Sequence, residues 1–176
     1  GGPPRDGIPS IDNPNFISAQ QADMKTKDHV LGIKIDEMAK AYPINILNWH
    51  EIVNDEFGGK PVVVTYCPLC GSGYTFFSKD KGKTLTFGVS GLLYNSDVLI
   101  YDRQTESLWS QIKEKSVAGE LVGTELEGFP TVNMTWKEWK NMNPDTEVLS
   151  ENTGYSKNYD RDPYAGYADR NGTMFP

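Results

Sequence analysis

Apolar and polar positions alternate along this chain in short blocks broken by turn-forming residues. The run 30–35, the polar pair Asp36-Glu37 and the run 38–42 predict a hairpin with a tight turn, and Pro43 ends its second strand. In the next stretch Ile44, Leu47, Ile52 and Val53 recur at helical spacing with Pro43 near the first turn, which predicts a helix over 44–53. Residues 54–59 read as a turn. The run 61–66 has no polar alternation until its end and predicts a buried central strand. A second hairpin is expected from 74–77 and 84–87 around the polar turn ending at Gly82, and a third from 97–102 and 107–109 around 103–106. Short strands are expected at Val117, at Leu121-Val122 and over 129–132. Ser18 and Gln21 have capping-box spacing and predict a short helix. Thr135 is placed to cap another, carried by Trp136, Trp139 and Met142 and closed by Pro144.

These elements describe an α+β fold, mainly antiparallel β hairpins with two or three short helices. Residues 1–16, rich in Pro, Gly and Asn, are expected as an extended arm over the surface. Residues 17–153 are expected as a single β-rich domain, and 154–176 as an irregular Tyr-rich tail. A chain of 176 residues is long enough for a substantial core. Hydrophobic content of 38% with 23% charged residues belongs to a folded protein and excludes disorder. The 17 Gly and 11 Pro favour turns and strands over long helices. A net charge of −7 with no Lys/Arg stripe argues against nucleic acid and anionic membranes as partners. No apolar run approaches the ~20 residues of a membrane span. The start at Gly1-Gly2-Pro3 lacks an initiator Met and reads as a processed end. The expectation that follows is a removed export signal.

The candidate chemistry sits at the end of the central apolar run, in Cys67-Pro68-Leu69-Cys70-Gly71, which holds the only two cysteines. Proline fixes one φ and glycine accepts a positive one, so the stretch predicts a knuckle with both sulfurs facing one point and backbone N–H groups turned toward them. The residues that follow are β-like, so no helix dipole is available to activate a thiolate as in thioredoxin-like motifs. A knuckle of this kind is half of a zinc-ribbon site, and the second cysteine pair is absent. His50, one of two histidines, is the obvious third ligand. Cys67, Cys70 and His50 form a Cys₂His set with an open position, which suits Cu(I) first, with catalytic zinc or iron as the other candidates. The expected function is metal handling, or redox chemistry on a small molecule. Two alternatives stand beside it: a non-metal β-rich binding module with a structural Cys67–Cys70 disulfide, and a dithiol oxidoreductase. Whether the chain is an enzyme stays open; if it is one, it is a metal- or thiol-dependent oxidoreductase. His29, in a polar turn, reads as a solvated surface residue. A polar cluster over 94–97, 101–103 and 109–111 reads as hairpin chemistry, with Arg103 paired to Asp102 or Glu106. Gly88 and Gly91 ahead of it allow a close backbone approach.

Taken together, Ala41-Tyr42-Pro43, the stretch 47–55 around Trp49-His50-Glu51, Tyr66-Cys67-Pro68-Leu69-Cys70-Gly71, the stretch 87–97, Tyr101-Asp102-Arg103, residues 107–111 and Arg161-Asp162-Pro163-Tyr164 resemble the family called domain of unknown function 3179. The match covers most of the chain. The resemblance implies a fold group more than an activity. It also implies a bacterial or archaeal protein exported to the periplasm or the extracellular space, often behind a signal peptide or lipoprotein anchor, which agrees with a removed N-terminal segment. Members of the family commonly extend beyond the point where this chain stops.

Overall fold

The computed structural model describes residues 2–166. In chain order its first elements are β1 (Phe16–Ser18), β2 (His29–Ile35), β3 (Met38–Pro43), α1 (Ile44–His50), β4 (Ile52–Phe57) and β5 (Lys60–Cys67). Then come β6 (Ser72–Phe77), β7 (Lys79–Asp80), β8 (Lys83–Thr84), β9 (Phe87–Tyr94), β10 (Asp97–Asp102) and β11 (Leu108–Ser110). The last are β12 (Lys115–Ala118), β13 (Gly128–Phe129), β14 (Val132–Thr135), α2 (Trp136–Met142) and β15 (Glu147–Leu149). The fold is thus strongly β-rich with two short helices, and neither is long and apolar enough to cross a membrane.

Three sheets stack. The central one has the order β13-β6-β5-β4, and β5 is buried from Val62 to Cys67. One of its faces, with Val53, Val62, Val64 and Tyr66, packs on Leu31, Ile33, Ile35 and Tyr42 of the five-stranded sheet β1-β15-β3-β2-β14. Its other face, with Ile52, Val63 and Phe76, packs on Phe87, Val89, Ile100 and Trp109 of the sheet β12-β11-β10-β9. Helix α2 covers the outer face of the five-stranded sheet through Trp136 and Trp139. Gly32 leaves the room: a Cβ there would lie 2.3 Å from the Trp139 ring. Thr135 caps α2 as its position in the sequence predicts, accepting the N–H of Glu138.

Several expectations are corrected. The capping box at Ser18 forms, with Ser18 N donating to Gln21 Oε1 at 3.0 Å and Gln21 N to Ser18 Oγ at 3.2 Å. Only a turn follows it, because helix nucleation is costly and no apolar stripe continues to repay it. Helix α1 stops at His50, where Glu51 takes φ +62° and its N–H bonds Leu47 O. Ile52 and Val53 instead begin β4, opposite Thr65 and Val64, and feed the two cores on opposite faces. A pair of adjacent β-branched residues serves a two-faced strand as well as a helical stripe, and tertiary pairing decides. Residues 54–57 therefore belong to the strand, and the turn is only Gly58-Gly59, both at positive φ. Strand β6 pairs with β5 and β13; the turn at Lys81-Gly82 joins only the short strands β7 and β8. Leu121 and Val122 lie in a turn. The N-terminal segment contributes more than surface cover, since Ile11 is fully buried and bridges Val53.

One buried ion pair joins the five-stranded sheet to the central one. Lys40 on β3 reaches Asp55 on β4 at 3.1 Å, with both side chains about 5% exposed. Its ammonium also donates to Glu56 O at 2.6 Å and lies over the Phe16 and Phe57 rings at 4.4 and 4.5 Å. Tyr42 Oη donates to the same carboxylate at 2.5 Å. Lys40→Ala strands that carboxylate without its cation. The expected loss is about 3–5 kcal/mol of unfolding free energy, read by urea denaturation. A loss under ~1 kcal/mol, the size of an exposed pair, would show that water reaches the site.

Candidate functional site

Strand β5 delivers Cys67 at its last position, opposite Ser72 at the start of β6. The knuckle Pro68–Gly71 closes this hairpin. Cys67 O accepts the N–H groups of Cys70 at 3.1 Å and Gly71 at 2.8 Å, and Gly71 has φ +66°. Those amides thus serve the turn carbonyl and not the sulfurs. The sulfurs themselves converge to 2.6 Å, with Cys67 buried and Cys70 exposed. Cys70 Sγ also faces Ser96 O at 4.0 Å, on the tip of the β9–β10 hairpin, where Asn95 and Ser96 both take positive φ. A strand, β6, follows the knuckle, so neither cysteine opens a helix.

Beside Cys67 stands a group whose role the composition of the motif does not announce. Glu51 ends α1 in the left-handed region, and its carbonyl accepts the N–H of Tyr66, which ties it to the end of β5. A non-glycine residue in that region costs about 1–2 kcal/mol, and such strain gathers at functional sites. The Glu51 residue is 5% exposed, and its carboxyl accepts a hydrogen bond from Tyr164 Oη at 3.1 Å. Burial raises that carboxyl from an ordinary 4.5 to about 7, against the smaller opposing effect of the Tyr164 bond. Burial likewise pushes the Cys67 thiol up to about 12, reinforced by Cys70 and by the Glu51 charge. Tyr66 and Tyr164 are raised by burial and by the acidic groups around them. Glu51 and Tyr164 open onto a cavity of about 240 Å³ whose other walls are apolar, among them Leu69, Val89, Leu92 and Val98. A larger, more open hollow of about 460 Å³ lies beside Asp36 and Glu147, with no thiol or imidazole in its lining.

His50 is fully buried and uses both ring nitrogens. Pro9 O can only accept, so Nδ1 carries the proton at 2.8 Å; Nε2 then accepts from Tyr159 Oη at 2.6 Å. Burial lowers its pKa and keeps it neutral. The imidazole thereby fastens the N-terminal segment and the C-terminal tail to α1. No cluster of three or more His, Cys, Asp or Glu suited to a metal ion occurs among the described residues. The structure brings Cys67 and Cys70 together, and the Glu51 charge adds a smaller effect on the Cys67 thiol. His29 is exposed and bonded to Asn133. The polar cluster builds the β10–β11 hairpin: buried Asp102 accepts from Thr105 and from Trp109 Nε1 at 2.8 Å, and Ser110 Oγ donates to Asp97. Arg103 pairs with Asp12 at 3.2 Å, while Glu106 pairs with Arg5. The backbone that approaches Gly91 is the chain's own N-terminal segment, while Gly88 makes room for the Asp6 carboxylate and the Tyr101 ring. Asp6 N donates to Val89 O at 2.9 Å, and a Cβ at Gly91 would meet Pro3 O at 2.1 Å.

Glu51 carries one sequence signal, a lone carboxylate between Trp49-His50 and Ile52-Val53. Tyr164 sits in an aperiodic tail, and its one signal is the Arg161-Asp162-Pro163-Tyr164 stretch of the family resemblance. A family model described as "Protein of unknown function (DUF3179)" matches residues 5–176, and the chain belongs to that family. No curated protein and no solved structure matches it.

The raised Glu51 value makes stability depend on pH with a definite sign. Below about 4.5 the carboxyl is protonated in the folded and unfolded chain alike, and it adds no pH dependence. Between about 4.5 and 7 the unfolded chain ionises while the folded one keeps its proton, so stability falls as pH rises. Above about 7 the loss is complete, at roughly 3 kcal/mol. Glu51→Gln removes this titration, so its stability relative to wild type should climb by that amount across the window. Urea unfolding of both proteins at pH 4 to 8 measures it, and parallel curves would contradict the assignment.

Proposed function

We propose that the chain is a dithiol–disulfide oxidoreductase with Cys70 as the attacking thiol, Cys67 as the resolving thiol and Glu51 as the proton acceptor. The carrying observation is the pairing of an exposed sulfur with a buried one 2.6 Å away, beside a buried carboxyl. Access selects Cys70 for the first step. Its thiolate attacks one sulfur of a substrate disulfide, forming a mixed disulfide and expelling one substrate thiolate. Cys67 then gives up its proton and attacks Cys70 Sγ. The Cys67–Cys70 bond forms, the mixed disulfide breaks, and the second substrate thiolate leaves. Two electrons pass to the substrate, and the two thiol protons end on its two sulfurs. In the reverse direction the same steps oxidise a substrate dithiol.

The second step needs help, because burial holds the Cys67 proton tightly. Glu51 is the carboxylate whose charge reaches Cys67, and its value near 7 suits a group that accepts and returns a proton near neutrality. The ring closed by the pair is short, and an S–S bond of about 2.05 Å is within reach of side-chain movement. A second reading rests on the same convergence: two sulfurs aimed at one point suit Cu(I) in low coordination. In that reading the sulfurs alone are the ligands, since both His50 nitrogens are bonded elsewhere.

Two variants test the order of attack. Cys67→Ser, incubated with glutathione disulfide, should accumulate a mixed disulfide on Cys70, visible as an added glutathione by mass spectrometry. Cys70→Ser should accumulate none. Absence of the adduct in Cys67→Ser, together with one Cu(I) bound per reduced chain, would transfer support to the metal reading.

The resolving step should follow Glu51. In wild type its rate should rise with pH through about 7, where Glu51 becomes a base. Glu51→Gln should lose that rise and slow on the order of a hundredfold. Stopped-flow measurement of glutathione release from the preformed mixed disulfide reads both effects. An unchanged pH profile in the variant would remove Glu51 from the mechanism.

A further inference from the structure

We infer that the cavity between Glu51 and Leu92 binds a small molecule with an apolar body and one protonated amine, the amine pairing with the Glu51 carboxylate. The inference does not depend on dithiol turnover. It starts from the unequal lining of the cavity. Leu69, Val89, Leu92 and Val98 supply apolar walls, and Glu51 with Tyr164 forms the polar end. Leu69 lies between the two cysteines, so an occupant sits against the knuckle.

The head group follows from the carboxyl. A carboxylate offers about four acceptor positions on two oxygens. Among the described residues the Glu51 side chain has one hydrogen-bond partner, Tyr164 Oη on Oε1. Its remaining acceptor capacity is available at the cavity it lines. A purely hydrocarbon occupant would strip water from that oxygen and return nothing, which is unfavourable for a charged group. An anionic occupant would add repulsion. A cation that donates to the carboxylate offsets the lost hydration and gains a charge-assisted bond. The chain's net charge of −7 also raises the concentration of cations around it. The body follows from the walls, which offer contact but no further hydrogen-bonding side chain. The N-terminal segment completes the enclosure through Ile8, whose neighbour Pro9 is held by His50.

The test titrates the full chain, at pH 8 where Glu51 is ionised, with n-alkylamines from butylamine to octylamine. The n-alkanols and n-alkanoates of equal length are the comparators, with isothermal titration calorimetry as the readout. Amine affinity should tighten about fourfold for each buried methylene until the cavity is full. The alkanol of equal length should bind at least tenfold more weakly, and the alkanoate more weakly still. Glu51→Gln should erase the preference of amine over alkanol. Leu92→Ser, on the half-exposed rim, should weaken the longer amines severalfold and keep that preference. Alkanoates binding as tightly as amines, an amine preference that survives Glu51→Gln, or no saturable binding in any series would each overturn the inference. Should Glu51→Gln fail to fold, the comparison of the three series on wild type and on Leu92→Ser decides.

Discussion

The structure depends on burying both faces of one strand. From Val62 to Val64, β5 sends alternate side chains into two different cores, and a sheet stands on either side of it. A strand in that position has no tolerance for a shift in register, because a one-residue slip exchanges every side chain between the two cores. The register set along β5 fixes where the strand ends, and Cys67 occupies that end. The thiol pair is held at the margin of a rigid element and opened to solvent by the turn that follows. This arrangement separates the two sulfurs by accessibility without separating them in space.

The same rigidity explains why Glu51 tolerates its conformation. The helix that precedes it and the strand that follows are both committed elsewhere: α1 packs through Ile46 and Leu47, and Ile52 pairs with Thr65. The one residue between them absorbs the whole change of direction. Its carboxyl is carried into a place where burial disfavours charge, and Tyr164 supplies part of the missing hydration. The electrostatics beside the knuckle therefore derive from backbone geometry, which carries the Glu51 carboxyl into a buried place at the end of α1.

Much of the sheet framework can be read from the sequence because its signals are local. The unbroken apolar run 61–66, the turn at Asp36 and the Cys-Pro-Leu-Cys-Gly knuckle each depend on residues within a few positions of one another. The change from helix to strand at Glu51 is hidden because Ile52 and Val53 satisfy both periods, and only the presence of β5 alongside selects one. The partners of His50 and Glu51 are hidden more deeply. Tyr159 lies 109 residues from His50, and Tyr164 lies 113 from Glu51. Contacts across such distances leave no periodic trace, and the tail that supplies them has no regular structure. His50 draws attention in the sequence as a residue type suited to metals. In the fold its nitrogens join two segments, and the charge of the adjacent Glu51 acts on Cys67.

The left-handed conformation of Glu51 also bears on how this protein responds to selection. Glycine meets no penalty at φ +62°, and it would remove the buried carboxyl as well. A library screened only for heat resistance should therefore drift to glycine at this position early, with no pressure to keep the site. Retention of glutamate under the opposite regime, where survival requires the protein's activity, would mark position 51 as one where stability has been given up for work.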